Sequence, residues 1–177
     1  APNCTQTSVT RAEGTYTVSN GIVSFAPASG FTGTPSSPIA YTVTDSLGQK
    51  SSSTYTPTVQ MPTLPSANPE SKPVLRGASV NFTAALGSGG LASGTGLKTG
   101  ASGGPCLVAS SNTTPTTGCV TSLTTADGSW SINQTTGVAT FTANSNVSAG
   151  NLVPVSYRVT DAAGQTASAA LTPVAPA

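Results

Sequence analysis

The sequence predicts an all-β protein made of tandem Ig-like, antiparallel β-sandwich repeats, one complete unit and one half unit. Three observations carry that expectation. Ser, Thr, Gly, Ala, Pro and Val fill most of the 177-residue chain, a composition suited to short strands joined by many turns and unsuited to long helices. Several segments alternate apolar and polar residues with period two, as a strand does when one face meets the core and the other meets water. The whole pattern also occurs twice, and a repeat of this length sets the architecture.

The stretch opening at Glu13, EGTYTVSNGIVSFAPASGFTGTPSSPIAYTVTDSLGQKSSSTYTPTV, matches the stretch opening at Asp127, DGSWSINQTTGVATFTANSNVSAGNLVPVSYRVTDAAGQTASAALTPV. Tyr16 corresponds to Trp130, Phe25 to Phe141, Tyr41 to Tyr157, Asp45 to Asp161 and Gly48 to Gly164. After a two-residue difference in the turn at Ser19 and Asn20 the offset is constant at 116, and Cys4 corresponds to Cys119 at 115. Ile39, Tyr41 and Val43 should share one strand face, as should Val155, Tyr157 and Val159. The following Asp-Ser-Leu-Gly and Asp-Ala-Ala-Gly read as turns, in which Asp bonds its own backbone and Gly takes positive φ. A last strand then runs into Tyr55–Val59 and Leu171–Val174.

With this period, residues 63–177 make one complete sandwich repeat and residues 1–62 only the C-terminal half of another. Pro62, Pro65 and Pro69 mark a short, extended junction. Within the complete unit, residues 78–86 read as a strand and the Gly- and Ser-rich stretch 87–105 as a long irregular loop. A half unit leaves strand edges and an apolar face bearing Tyr16, Phe25, Tyr41 and Tyr55 uncovered. It should therefore be completed by upstream chain or by strand donation from a neighbouring molecule.

The combination GTYTV, GIVSFAPASGFTG, IAYTVTDSLGQ and YTPTV, at residues 14–18, 21–33, 39–49 and 55–59, resembles the CshA-type fibril repeat of bacterial surface proteins. The complete unit follows the pattern more loosely: Trp130 stands for Tyr16, Asn144–Gly150 for the F-T-G element, and Leu171 for Tyr55. The resemblance implies a tandem array of β-sandwich modules that forms a surface fibril and holds an adhesive domain away from the cell.

The chemical inventory is sparse. Six Lys or Arg, five Asp or Glu and no His give a charged fraction far below the roughly 25% usual in soluble domains. With net charge +1 and no basic cluster, nucleic acid is not an expected partner. No apolar run approaches the roughly 18 residues needed to span a bilayer, so no membrane insertion is expected. Cys106 and Cys119, 13 residues apart with no His or CxxC nearby, read as a local disulfide and not as a metal site, which points to an oxidising, extracellular setting. Cys4 is then left to pair upstream or with another unit. Sequons at Asn3, Asn81, Asn112, Asn133 and Asn146 are expected by chance in so Thr-rich a chain.

Asp45 and Asp161 do not read as calcium ligands, because calcium takes about 6–8 oxygens with several carboxylates and the acidic residues are scattered. Lys50, Lys72 and Lys98 raise the question of isopeptide crosslinks, but no local signal selects one. A hydrolytic triad lacks its usual base without His, and the lysines stand in loop-like sequence where no Ser-Lys pair would be held. Trp130 and the tyrosines could stack sugars, yet their periodic placement assigns them to the core. The expectation is a non-enzymatic structural segment of an extracellular fibril or filament, with no catalytic residue, cofactor or metal. Its partners would be copies of itself or adjacent repeats. The rival reading is an adhesin module in which the 87–105 loop recognises a host glycan or protein.

Overall fold

The computed structural model describes residues 6–177, which form strands, turns and bends without a helix. The chain divides into two compact units, residues 1–61 and 62–177.

In the first unit, β1 (Ser8–Arg11), β2 (Gly14–Ser19) and β3 (Ile22–Pro27) make an antiparallel sheet, while β4 (Ile39–Thr44) and β5 (Lys50–Tyr55) form a hairpin. Asn20 (φ 51°) and Gly21 (φ 78°) alone connect β2 to β3. Positive φ at both central residues is what a two-residue hairpin turn requires to match strand twist, and Asn-Gly supplies it at least cost. The chain then returns along the end of the hairpin through a Gly33–Val59 bridge.

The second unit contains β6 (Ser66–Ala67), β7 (Glu70–Pro73), β8 (Ser79–Asn81), β9 (Ala92–Ser93), β10 (Cys106–Val108) and β11 (Cys119–Val120). There follow β12 (Ser122–Thr125), β13 (Gly128–Ile132), β14 (Ala139–Ala143), β15 (Gly150–Asn151), β16 (Val155–Thr160) and β17 (Thr166–Ala175). One sheet has the order β11-β10-β16-β17-β15, with β7 joining β17 in parallel, and the other is β12-β13-β14-β8. Their inner faces enclose one core. Trp130 lies between Phe82 (5.2 Å) and Phe141 (4.8 Å), packed with Leu107, Tyr157, Val159 and Leu171. Each such side chain, once fully buried, contributes on the order of 1.5–3 kcal/mol before entropy is subtracted.

The two units repeat one another down to strand register. Val9 faces Tyr16 as Leu123 faces Trp130, and Tyr16 faces Phe25 as Trp130 faces Phe141. Ile39, Tyr41 and Val43 face Tyr55, Ser53 and Ser51; Val155, Tyr157 and Val159 face Leu171, Ala169 and Ala167. The longer Asn133–Val138 turn between β13 and β14 accounts for the two-residue difference in sequence. Gly14 and Gly128 occupy the same place for the same steric reason: a Cβ there would overlap the carbonyl of Ala26 or Thr142 and the ring of Phe25 or Phe141.

Two sequence expectations change. Of residues 78–86 only Ser79–Asn81 is strand, although Phe82 N–H still donates to Ala139 O (2.8 Å) and Ala85 N–H to Gly137 O (3.0 Å). The 87–105 stretch is not irregular throughout. It carries β9, paired with β6, and is tied to the body by Lys98 N–H to Thr160 O (2.8 Å) and Gly100 N–H to Gln134 O (2.8 Å).

Candidate functional site

The first unit holds counterparts of β12, β13, β14, β16 and β17. In the second unit, residues 62–120 add β8 beside β14, β10 beside β16 and β7 beside β17. Among the described residues of the first unit, no strand takes those three places. The consequence is an open groove of about 480 Å³ whose walls include Val9, Val18, Val23, Ile39, Tyr41 and Val43. No Lys, Arg, Asp or Glu lines it.

The difference between the two units is legible in paired residues. Tyr157 is 1% exposed and Val159 1%, whereas Tyr41 is 39% and Val43 58% exposed at the same strand positions. Tyr157 also finds polar partners that Tyr41 has no counterpart for. Its hydroxyl accepts from Asn68 N–H (3.0 Å) and lies within donating distance of the carbonyls of Asn68 (2.9 Å) and Leu91 (3.0 Å). Burial raises the Tyr157 phenol above its usual range, against the smaller lowering effect of the Asn68 backbone hydrogen bond.

At the floor of the groove the first unit does close on itself. Tyr16 is 3% exposed, packed on Phe25 (4.6 Å) and edge-on to Tyr55 (6.5 Å). Its hydroxyl donates to Glu13 Oε1 at 3.2 Å. Loss of water around the ring raises its pKa, and the Glu13 carboxylate adds to the rise. Of the four aromatic residues expected on an uncovered face, Tyr16 is therefore core, Phe25 is half-buried, and Tyr41 and Tyr55 stay exposed.

Cys106 and Cys119 are joined as a disulfide with Cα atoms 5.5 Å apart, which ties β10 to the start of β11. Cys4 lies outside the described residues. Asp45 accepts from Leu47 N–H and Gln49 N–H, both at 2.8 Å, and Asp161 from Gln165 N–H (2.8 Å) and Gln165 Nε2 (3.0 Å). Both carboxylates thus organise the turns in which they sit. Lys72 Nζ donates to Asn81 O (3.0 Å) and stands 3.4 Å from Glu70, whose carboxylate also receives Thr83 N–H at 2.7 Å. Among the described residues, no three His, Cys, Asp or Glu side chains gather where they could hold a metal ion.

Sequence reasoning missed Phe82, Leu107 and the Asn68 and Leu91 carbonyls, all of which complete the second unit around residues that both units share. The first unit shares its strand register with the second, and its sequence resembles a known repeat. Residues 2–59 match the family model described as the surface adhesin CshA repetitive domain. This segment is similar to a CshA-type repeat. The match to the CshA repeat covers less than half of the chain and ends beside the boundary between the two units. No curated protein and no solved structure gives a match.

Proposed function

We propose that this protein is a structural repeat segment of an extracellular cell-surface fibril or filament, a stalk or spacer of an adhesin with no catalytic role. One observation carries the reading: residues 2–59 resemble the surface adhesin CshA repetitive domain, and the second unit repeats the strand register of that segment. A module of this kind works by length and stiffness, and the open half gives successive modules a way to join. The first unit would be completed by upstream chain or by strand donation from a neighbouring molecule, either of which would cover its apolar groove. Small-angle scattering and electron microscopy of the chain should give elongated or end-to-end associated particles. A compact monomer at all concentrations would overturn this reading.

A second reading rests on the open depression of the second unit lined by Leu86 and, from the 87–105 region, by Ser93, Leu97 and Thr99. There a host glycan or protein loop would be held. Binding by the whole chain on a glycan array, lost on substitution of Thr99, would favour it over a pure spacer.

A further inference from the structure

We infer that Asn20 is a site of spontaneous chemical modification: its side-chain amide is lost through a cyclic imide formed with the backbone nitrogen of Gly21, leaving aspartate or isoaspartate in the β2–β3 turn. The inference rests on the turn itself and does not depend on the role proposed above.

Asn20–Gly21 is the chain's single Asn-Gly step. Both residues are exposed and lie outside the strand ladder, whose last rung is Ser19–Ile22. Among the described residues, neither the Asn20 side chain nor the Gly21 N–H has a hydrogen-bond partner. Among them, too, no atom beyond the chain neighbours lies within 4 Å of the place a Cβ would take at Gly21. The attacking nitrogen is therefore unhindered, and a residue without a side chain lets the backbone rotate toward ring closure.

The second unit keeps the turn position and removes the chemistry. At the constant offset Thr136 stands for Asn20 and Gly137 for Gly21, the two glycines having φ 75° and 78°. Gly137 N–H donates to Asn133 O at 2.6 Å, and a Cβ there would lie 2.7 Å from that of Ala85. Asn133 is followed by Gln134, and its Oδ1 accepts from Thr135 N–H (2.9 Å) and Thr136 N–H (3.1 Å). Asn112 and Asn146 are exposed, but Thr113 and Val147 follow them, and β-branched side chains crowd the backbone nitrogen.

The reaction balances with water as its co-reactant. The Gly21 nitrogen attacks Asn20 Cγ, the N–Cγ bond forms as Cγ–Nδ2 breaks, and ammonia leaves with the proton that the nitrogen gave up. Water then opens the imide. Cleavage of the new N–Cγ bond gives aspartate in a normal backbone, whereas cleavage at the Asn20 main-chain carbonyl gives isoaspartate, with the side-chain methylene now in the main chain. Aspartate before glycine suits this turn as asparagine does. Isoaspartate lengthens a turn whose twist was matched to its strands, so the Ser19–Ile22 rung should open first.

The test incubates the full chain in mildly alkaline buffer and maps its peptides by mass spectrometry, with the chain in denaturant as reference. In the folded chain the Asn20 peptide should lose its amide before those carrying Asn112, Asn133 and Asn146, and should yield aspartate and isoaspartate together. Hydroxylamine, which attacks cyclic imides, should cut the chain between Asn20 and Gly21. NMR of the aged chain should show loss of exchange protection at the Ile22 amide and no change within residues 62–177. Asn20→Gly, which keeps a favoured hairpin turn, should show neither a mass gain at that peptide nor the hydroxylamine cut. Retention of the Asn20 amide in the folded chain, under conditions where the denatured chain loses it, overturns the inference. So does loss no faster than at Asn112 and Asn146, or aspartate formed without isoaspartate and without hydroxylamine cleavage.

Discussion

The ring of Phe82 lies 5.2 Å from the indole of Trp130, tilted by 31°, and this contact joins the first half of the second unit to the second half. In the first unit the corresponding Tyr16 has Phe25 (4.6 Å) and Tyr55 (6.5 Å) as ring neighbours. Phe82→Ala should open a cavity beside Trp130 and cost about 3–5 kcal/mol. Trp130 is the chain's sole tryptophan, so denaturant unfolding followed by its fluorescence reports this unit directly.

Tyr157→Phe tests the hydroxyl that reaches the Asn68 and Leu91 backbone. Leaving these buried groups without their partner should cost about 1–3 kcal/mol near neutral pH. Because burial raises the Tyr157 phenol, the folded unit keeps this proton at pH values where the unfolded chain releases it. Stability from this source is full below about pH 10, the usual phenol value, and falls as the pH rises through the folded value. The Phe variant should lose that alkaline slope in Trp130-monitored unfolding.

Asp45 and Asp161 make the same turn in different surroundings. Asp161 is 1% exposed and Asp45 is exposed, so water can replace the carboxylate at one site but not at the other. Asp161→Ala should cost about 1–3 kcal/mol in the second unit, and Asp45→Ala less than half as much in the first. Thermal unfolding of each variant, resolved by unit through NMR, checks the difference.

Reduction of the Cys106–Cys119 bond should lower the stability of the second unit by about 3 kcal/mol, since a closed loop of this size restricts the unfolded chain. Peptide mapping of the non-reduced denatured chain should recover Cys106 and Cys119 linked to one another. Recovering both as free thiols would remove the bond.

Gly128→Ala should be poorly tolerated for a reason unrelated to turn conformation. The added methyl would meet the Thr142 carbonyl and the Phe141 ring, both fixed in the core sheet. A loss of about 1–3 kcal/mol is expected by analogy with overpacked cores, read by calorimetry, and Gly14→Ala should unfold the first unit in the same way.

Much of this fold was legible where residues alternate. Ile39, Tyr41 and Val43, Asp45 with Gly48, and their partners Val155 to Gly164 announced two hairpins and their turns, because period two and turn chemistry are local signals. The pairing of β9 with β6 was not legible. Ala92 and Ser93 are small, sit among glycines, and carry no periodicity. Nor could sequence show that Tyr157 would seek the carbonyls of Asn68 and Leu91, 89 and 66 residues away. The apolar face of the first unit was legible in its alternating residues, but its packing was not: that Tyr16 would be covered by Phe25 and Tyr55 while Tyr41 stayed open depends on packing across sheets, which no single strand encodes.

The parallel pairing of β7 with β17 sets how the second unit answers a pull. Glu70 to Pro73 lie beside Leu171 to Val174 in register, near the unit's beginning and its end. Tension drawn through those two strands runs along them in opposite directions. The ladder between them is loaded in shear, all its bonds together, and cannot open one rung at a time as an antiparallel terminal pair would. In the first unit β5 holds the place of β17 with that side open.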